Sequence, residues 1–169
     1  TAYLNGKEFS GAGRLIVSPY IPGTELTWRN IGQDAMVKEF YADPGFDFHA
    51  EKGQRVDILV EPSPDPSLGG YLALESFARY NEVLTIADLA FTHNIELSNE
   101  GSFTGKVLSN NQDLTASTVV DITLYNQTNG QMRKGKTSLT EPGVFVASGL
   151  ESGNYRVSID INGIESLTY

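Results

Sequence analysis

The 169-residue sequence predicts an all-β protein built as two small β-sandwich domains in tandem. Residues 141–159 are the clearest evidence, reading as turn, short strand, loop, turn and long strand. Pro142-Gly143 supplies a tight turn, because proline presets φ and glycine accepts positive φ. Gly153-Asn154 breaks the chain again, and apolar and polar residues then alternate. Tyr155, Val157, Ile159 and Ile161 share one face of the resulting strand; Arg156, Ser158, Asp160 and Asn162 share the other. Short segments of this kind recur along the chain, and no long segment keeps a helical period.

In chain order, strands are expected at 14–17, 26–28, 36–41, 46–48, 55–60, 71–77, 83–86 and 91–97, with turn-forming residues between them. A short turn of helix is expected around 31–37. Residues 61–67 read Glu-Pro-Ser-Pro-Asp-Pro-Ser, and each proline lacks a backbone donor, so an exposed extended loop is expected and not a central strand. Ser98-Asn99-Glu100-Gly101-Ser102 is polar and turn-rich. It marks a boundary between an acidic N-terminal domain over 1–98 and a C-terminal domain over 103–169. In the latter, Gly105-Lys106-Val107 opens a strand, 117–125 alternates, and Asn129-Gly130 suits a hairpin turn.

An internal echo links the halves. Asp43-Pro44-Gly45-Phe46-Asp47-Phe48 parallels Glu141-Pro142-Gly143-Val144-Phe145-Val146. Each is followed by a further glycine (Gly53 or Gly153) and a strand, and preceded by a strand after Gly13 or Gly105. Either two sandwiches share one plan, or an acidic residue before Pro-Gly is a good hairpin turn used twice.

With these strands in place, the G-x-F of Gly143 to Phe145 and the L-x-x-G-x-Y of Leu150 to Tyr155 resemble a known group. It is the carboxypeptidase-regulatory-like and Cna-B-like domains, the prealbumin-like β-sandwiches, and the resemblance covers roughly 103–169. It implies an Ig-like or prealbumin-like sandwich and a non-catalytic role as stalk, spacer or attachment module. Some Cna-B-like domains also form a Lys–Asn isopeptide bond promoted by a buried carboxylate. Lys106 lies where the resemblance would put that lysine. The usual E-T-x-A-P-x-G-Y context is absent, Glu151 sits in the loop before Gly153, and Asn162 is only loosely placed. Lys106 therefore reads as an ordinary outward strand residue.

Composition narrows the function classes. The chain has no cysteine, which excludes disulfides, thiolate metal sites and cysteine nucleophiles. Net charge is −9, concentrated in residues 1–100 with seven basic and fifteen acidic side chains. No basic stripe is visible, so nucleic acid is not an expected partner. No apolar run is long enough to span a membrane, and no signal-peptide pattern is visible.

No catalytic, cofactor-binding or metal residue is assigned. The two histidines, His49 and His93, lack a metal-binding spacing; by parity His49 faces solvent and His93 an apolar side. Asp43, Asp47, Glu51, Asp57, Glu61 and Asp65 read as solvated acids, and no EF-hand spacing joins them into a Ca²⁺ loop. No nucleophile elbow or dinucleotide fingerprint is present. The sequon Asn126-Gln127-Thr128 sits at a strand end. Trp28, Tyr20, Tyr41 and Tyr71 would offer a sugar-stacking platform, although Trp28 shares the inward parity of Leu26. The apolar ends Ala2-Tyr3-Leu4 and Leu167-Thr168-Tyr169 are suited to docking on a neighbour.

The leading expectation is a non-enzymatic structural subunit of a virion, of the bacteriophage head, neck or tail. Its partners would be other structural proteins or further copies of itself. The alternatives are a bacterial surface adhesin, stalk or filament subunit, and a carbohydrate-binding module with a glycan partner. No cofactor is expected.

Overall fold

The computed structural model describes residues 1–27, 29–41, 45–88, 92–161 and 164–168. Among these residues the chain is all-β, with sixteen strands and one 3₁₀ turn. The first five strands are β1 (Ala2–Leu4), β2 (Lys7–Glu8), β3 (Ala12–Pro19), β4 (Met36–Tyr41) and β5 (Arg55–Pro62). A 3₁₀ turn at Pro66–Leu68 precedes β6 (Leu72–Ala73), β7 (Tyr80–Thr85) and β8 (Ile95–Leu97). Then come β9 (Phe103–Lys106), β10 (Leu108–Ser109), β11 (Gln112–Asp113) and β12 (Asp121–Asn126). The last four are β13 (Met132–Lys136), β14 (Val144–Ala147), β15 (Tyr155–Ile161) and β16 (Ile164–Thr168).

The chain divides into two compact units. One comprises Thr1–Ser63 and Phe77–Ser98, the other Pro64–Ser76 and Asn99–Tyr169. Relative to the ranges 1–98 and 103–169, the difference is residues 64–76, which group with the second unit.

The first unit holds a four-stranded antiparallel sheet in the order β4-β3-β5-β7 and a three-stranded sheet in the order β2-β1-β8. Its core joins the two. Leu15, Val17, Phe40, Val56, Ile58 and Val60 from the larger sheet cluster with Ala2, Ile95 and Leu97 from the smaller. β5 is buried at five consecutive positions, 56–60, because its second face is also covered: Leu59 packs there with Ile16 and Leu26. Asp57 lies on that second face at 5% exposure, where Asn81 Nδ2 donates to its carboxylate at 2.7 Å.

The second unit sets a five-stranded sheet, β16-β15-β12-β13-β6, with the β14–β9 pair and the small β10–β11 hairpin. Ile122 and Leu124 of β12 and Val157 and Ile159 of β15 pack with Phe145 and Ala147 of β14. The alternation expected in β15 is therefore realised, with Tyr155, Val157 and Ile159 toward the core. The turn at 141–144 also forms, with Val144 N–H donating to Glu141 C=O at 3.0 Å. Gly143 has φ +79° there, and a Cβ would lie 2.4 Å from Val107 O, so the position requires glycine.

Several expectations need correction. Residues 31–37 are not helical: Ala35 N–H closes a turn onto Gly32 C=O, and β4 starts at Met36. Residues 46–48 carry no ladder, although Phe46, Phe48 and Ala50 pack on the core while Asp47 and His49 are exposed. Their alternation reports side-chain burial without strand pairing. The loop expected at 61–67 begins later, because Glu61 and Pro62 pair with Arg14 and Gly13 at the end of β5. A proline is tolerated at such a strand end. Of the strand expected at 71–77, only β6 forms. Residues 26–27 form none, and 91–97 shortens to β8, while Trp28 and Phe91 lie outside the described residues. Asp43 and Pro44 of the internal echo also lie outside them. The apolar start of the chain docks at home, as β1 between β2 and β8.

Candidate functional site

An open cleft of about 740 Å³ lies in the first unit, at the end of the four-stranded sheet beneath residues 47–51. Core packing of Phe46, Phe48 and Ala50 turns Asp47, His49 and Glu51 outward. The cleft adds Asp34, Met36 and Gln54, and its lining contains no lysine or arginine. Such a lining repels anions. Asp47 also borders a recess of about 240 Å³ that includes His93. Among the described residues, no group of three or more His, Asp or Glu side chains is placed to hold a metal ion.

A shared carboxylate sits nearby. Tyr80 and Glu82 occupy alternate positions of β7 and so point the same way. Tyr80 Oη donates to Glu82 Oε2 at 2.5 Å, and His93 Nε2 lies 2.7 Å from the same oxygen. Burial alone would raise the Glu82 pKa. The hydrogen bonds from Tyr80 and His93, with the His93 charge, outweigh it and hold the carboxyl below its usual range. Burial, and the bond to and charge of Glu82, push the Tyr80 phenol above its usual range. One carboxylate oxygen thus meets both Tyr80 and His93, which suits holding β7 to the segment before β8.

Two buried polar side chains organise the second unit. Arg133, 1% exposed, donates from Nη1 to Ser148 C=O at 2.8 Å and from Nη2 to Gly149 C=O at 2.6 Å. A longer contact of 3.4 Å reaches Ala73 C=O of β6. Burial lowers its pKa, an effect that the nearby Tyr155 and Glu151 oppose. The guanidinium ties β13, β6 and the loop after β14 together through backbone acceptors. Asn126 is fully buried: its Oδ1 accepts from Thr128 N–H at 2.9 Å, and its Nδ2 donates to Tyr155 Oη at 3.0 Å. Tyr155 Oη in turn donates to Glu151 C=O at 2.7 Å. The sequon asparagine is therefore the internal brace of the 126–131 hairpin, whose Gly130 N–H donates to Asn126 C=O at 2.8 Å.

The remaining sequence candidates are scattered. Glu61 is half-buried against Arg14, with a contact of 3.4 Å. Asp65 caps the 3₁₀ turn by accepting from Ser67 N–H at 2.8 Å. Asp57 is buried, contrary to the expected solvated acid, because Asn81 satisfies it. Lys106 is exposed and pairs with Asp113 at 2.7 Å, while Glu151 accepts from Asn129 Nδ2 at 2.7 Å. Asn162 and Tyr169 lie outside the described residues. Tyr20 lies under Arg55 at 4.1 Å and Tyr41 is exposed, both in the first unit; Tyr71 belongs to the second. Sequence reasoning missed Arg133, because Met-Arg-Lys-Gly-Lys in β13 has no apolar alternation to flag a strand. The neighbouring Asn129-Gly130 turn was the one available signal, since a hairpin turn requires a returning strand.

No protein-family model, no curated protein and no solved structure matches the chain. No helix among the described residues is long and apolar enough to cross a membrane.

Proposed function

We propose that this chain is a non-enzymatic structural subunit that assembles with other proteins of a virion, as a decoration or attachment component. One observation carries the reading: the outer strands of the four-stranded sheet. Among the described residues, β4 neighbours only β3, and β7 neighbours only β5. Apolar side chains stand exposed on both, with Val37 at 46%, Tyr41 at 57% and Val83 at 37%. Sheet edges are usually blunted in proteins that stay monomeric, because open backbone groups recruit further strands. Edges that also carry apolar side chains suit contacts completed by another subunit. The resemblance of 103–169 to spacer and attachment modules supports the same reading.

Particles purified from the source should contain the chain in a fixed copy number, measured by quantitative mass spectrometry. Val37→Lys with Val83→Lys should abolish that incorporation while leaving the far-UV circular dichroism unchanged. Absence from particles, with detection at the cell surface, would move the assignment to an adhesin or filament.

A further inference from the structure

The larger sheet of the first unit has four strands, each antiparallel to the next. β4 therefore runs opposite to β7, and a second β4 laid beside β7 by translation continues the antiparallel alternation. The backbone groups agree. Ladder hydrogen bonds are exchanged by every second residue of a strand. Ser63 N–H donates to Ala12 C=O, Tyr20 N–H to Arg55 C=O and Ile86 N–H to Gln54 C=O. Even-numbered residues of β3 thus bond to β5, odd-numbered ones to β4, and even-numbered residues of β5 to β7. The backbone groups of Val37, Glu39 and Tyr41 then point away from β3, and those of Asn81, Val83 and Thr85 away from β5. All six side chains are exposed. Among the described residues, none of these outward groups has a backbone partner.

One register matches the two edges. It sets Met36 against Leu84, Val37 against Val83, Lys38 against Glu82 and Glu39 against Asn81. Met36 and Leu84 both border the core cluster, and Val37 and Val83 are both exposed and apolar. Lys38 and Glu82 already have contacts within the unit, with Gly45 C=O for the first and with Tyr80 and His93 for the second. Set opposite each other they attract, and no like charges meet. A shift of two residues is the least that keeps each face, and it sets Glu82 against Met36 or Phe40. Self-pairing fits less well. At its fullest overlaps, β4 on a second β4 sets Lys38 against Lys38 or Glu39 against Glu39. Likewise β7 on a second β7 sets Glu82 against Glu82 or against Leu84.

We propose that each edge is completed by the opposite edge of a second copy of this chain: β7 takes β4 of the next copy, antiparallel, with Val83 beside Val37. The inference rests on the assembly reading and names its partner. The contact is heterologous, so every addition leaves one open β4 and one open β7. Copies therefore join into a ring or a filament and do not stop at a two-fold dimer. Four strands at ~4.8 Å spacing advance each copy by roughly 19 Å.

The chain has no cysteine, so introduced thiols report contacts between copies. Val37→Cys and Val83→Cys chains, one of them isotopically labelled, are mixed and oxidised, and the disulfide dimers are told apart by mass. The mixed dimer should exceed either homodimer roughly tenfold, against roughly twofold for random collision. Replacing the Val83→Cys chain by Asn81→Cys, two residues out of register, or by Leu139→Cys, in the exposed loop after β13, should cut the mixed yield about tenfold. A chain carrying both Val37→Cys and Val83→Cys should give a ladder of covalent multimers. Three strand spacings, roughly 14 Å, separate the two thiols within one copy, too far for an internal disulfide. Circular dichroism of every variant should match the parent. Homodimers as abundant as the mixed dimer overturn the proposal, as do equal yields with Asn81→Cys or Leu139→Cys, a double variant that stops at dimers, or no covalent dimer at all. If these tests fail and the chain is still found in particles at fixed copy number, the assembly reading stands with a different protein on the edges. If they succeed and the chain is absent from particles, the self-contact stands and the virion reading falls.

Discussion

The ring of Phe145 lies across Gly105, its partner in the β9–β14 ladder, and a Cβ at Gly105 would come within 2.3 Å of the ring. The first unit repeats the pairing, with Gly13 opposite Phe40 and the same 2.3 Å approach. In each unit a strand glycine leaves the space that a cross-strand phenylalanine fills. Gly105→Ala should displace the ring and cost about 1–3 kcal/mol, read by urea denaturation. Adding Phe145→Leu should recover part of that loss, because the two changes share one volume.

Arg133 should be irreplaceable by a chain of similar length. Arg133→Met removes the donors to Ser148 and Gly149 and leaves both carbonyls buried, a cost of about 2–4 kcal/mol. Arg133→Lys keeps the charge but loses the planar fork, and should recover only part of the stability. Thermal melts of the two variants against the parent check the ranking.

Asn126 predicts a separation between sequence and accessibility. A peptide spanning residues 121–131 should accept a glycan from an oligosaccharyltransferase. The folded chain should keep its mass of 18.4 kDa under the same treatment, because the amide is buried and engaged with Tyr155. Modification of the folded chain, seen by mass spectrometry, would contradict the hydrogen-bond assignment.

Glu82 gives a pH dependence with a definite sign. Its folded pKa lies below the unfolded value, so its contribution is fully present above the unfolded carboxylate pKa. It is lost as pH falls through the depressed folded pKa. Glu82→Gln should therefore lower stability at neutral pH and flatten the acid limb of the stability curve. Denaturation midpoints collected from neutral to acidic pH check both parts.

The legible parts of the fold were those where one physical signal had one cause. β4 was found at 36–41 because it is a short run bounded by turn-forming residues. β15 was found because apolar and polar residues alternate along it. The 46–48 segment shows the limit: packing of Phe46 and Phe48 produces alternation in an extended segment that has no strand partner. Asp57 shows another. A carboxylate in the sequence reads as solvent-facing, and its burial rests on Asn81, twenty-four residues away. Arg133 and Asn126 were hidden because their partners are backbone carbonyls and a distant tyrosine, which no local pattern announces. For the cleft, the outward turn of His49 was readable, while its meeting with Asp34 and Met36 depends on the path of the intervening chain.

The interleaving of the units bears on inheritance. The chain passes from one unit to the other after Ser63, after Ser76 and after Ser98. A gene segment ending at Ser98 would carry Leu72 and Ala73 without β13, their ladder partner. A segment starting at Asn99 would lack the edge strand and the tyrosine beside it. Recombination that exchanges one half for a homologous module would therefore break a sheet in the other.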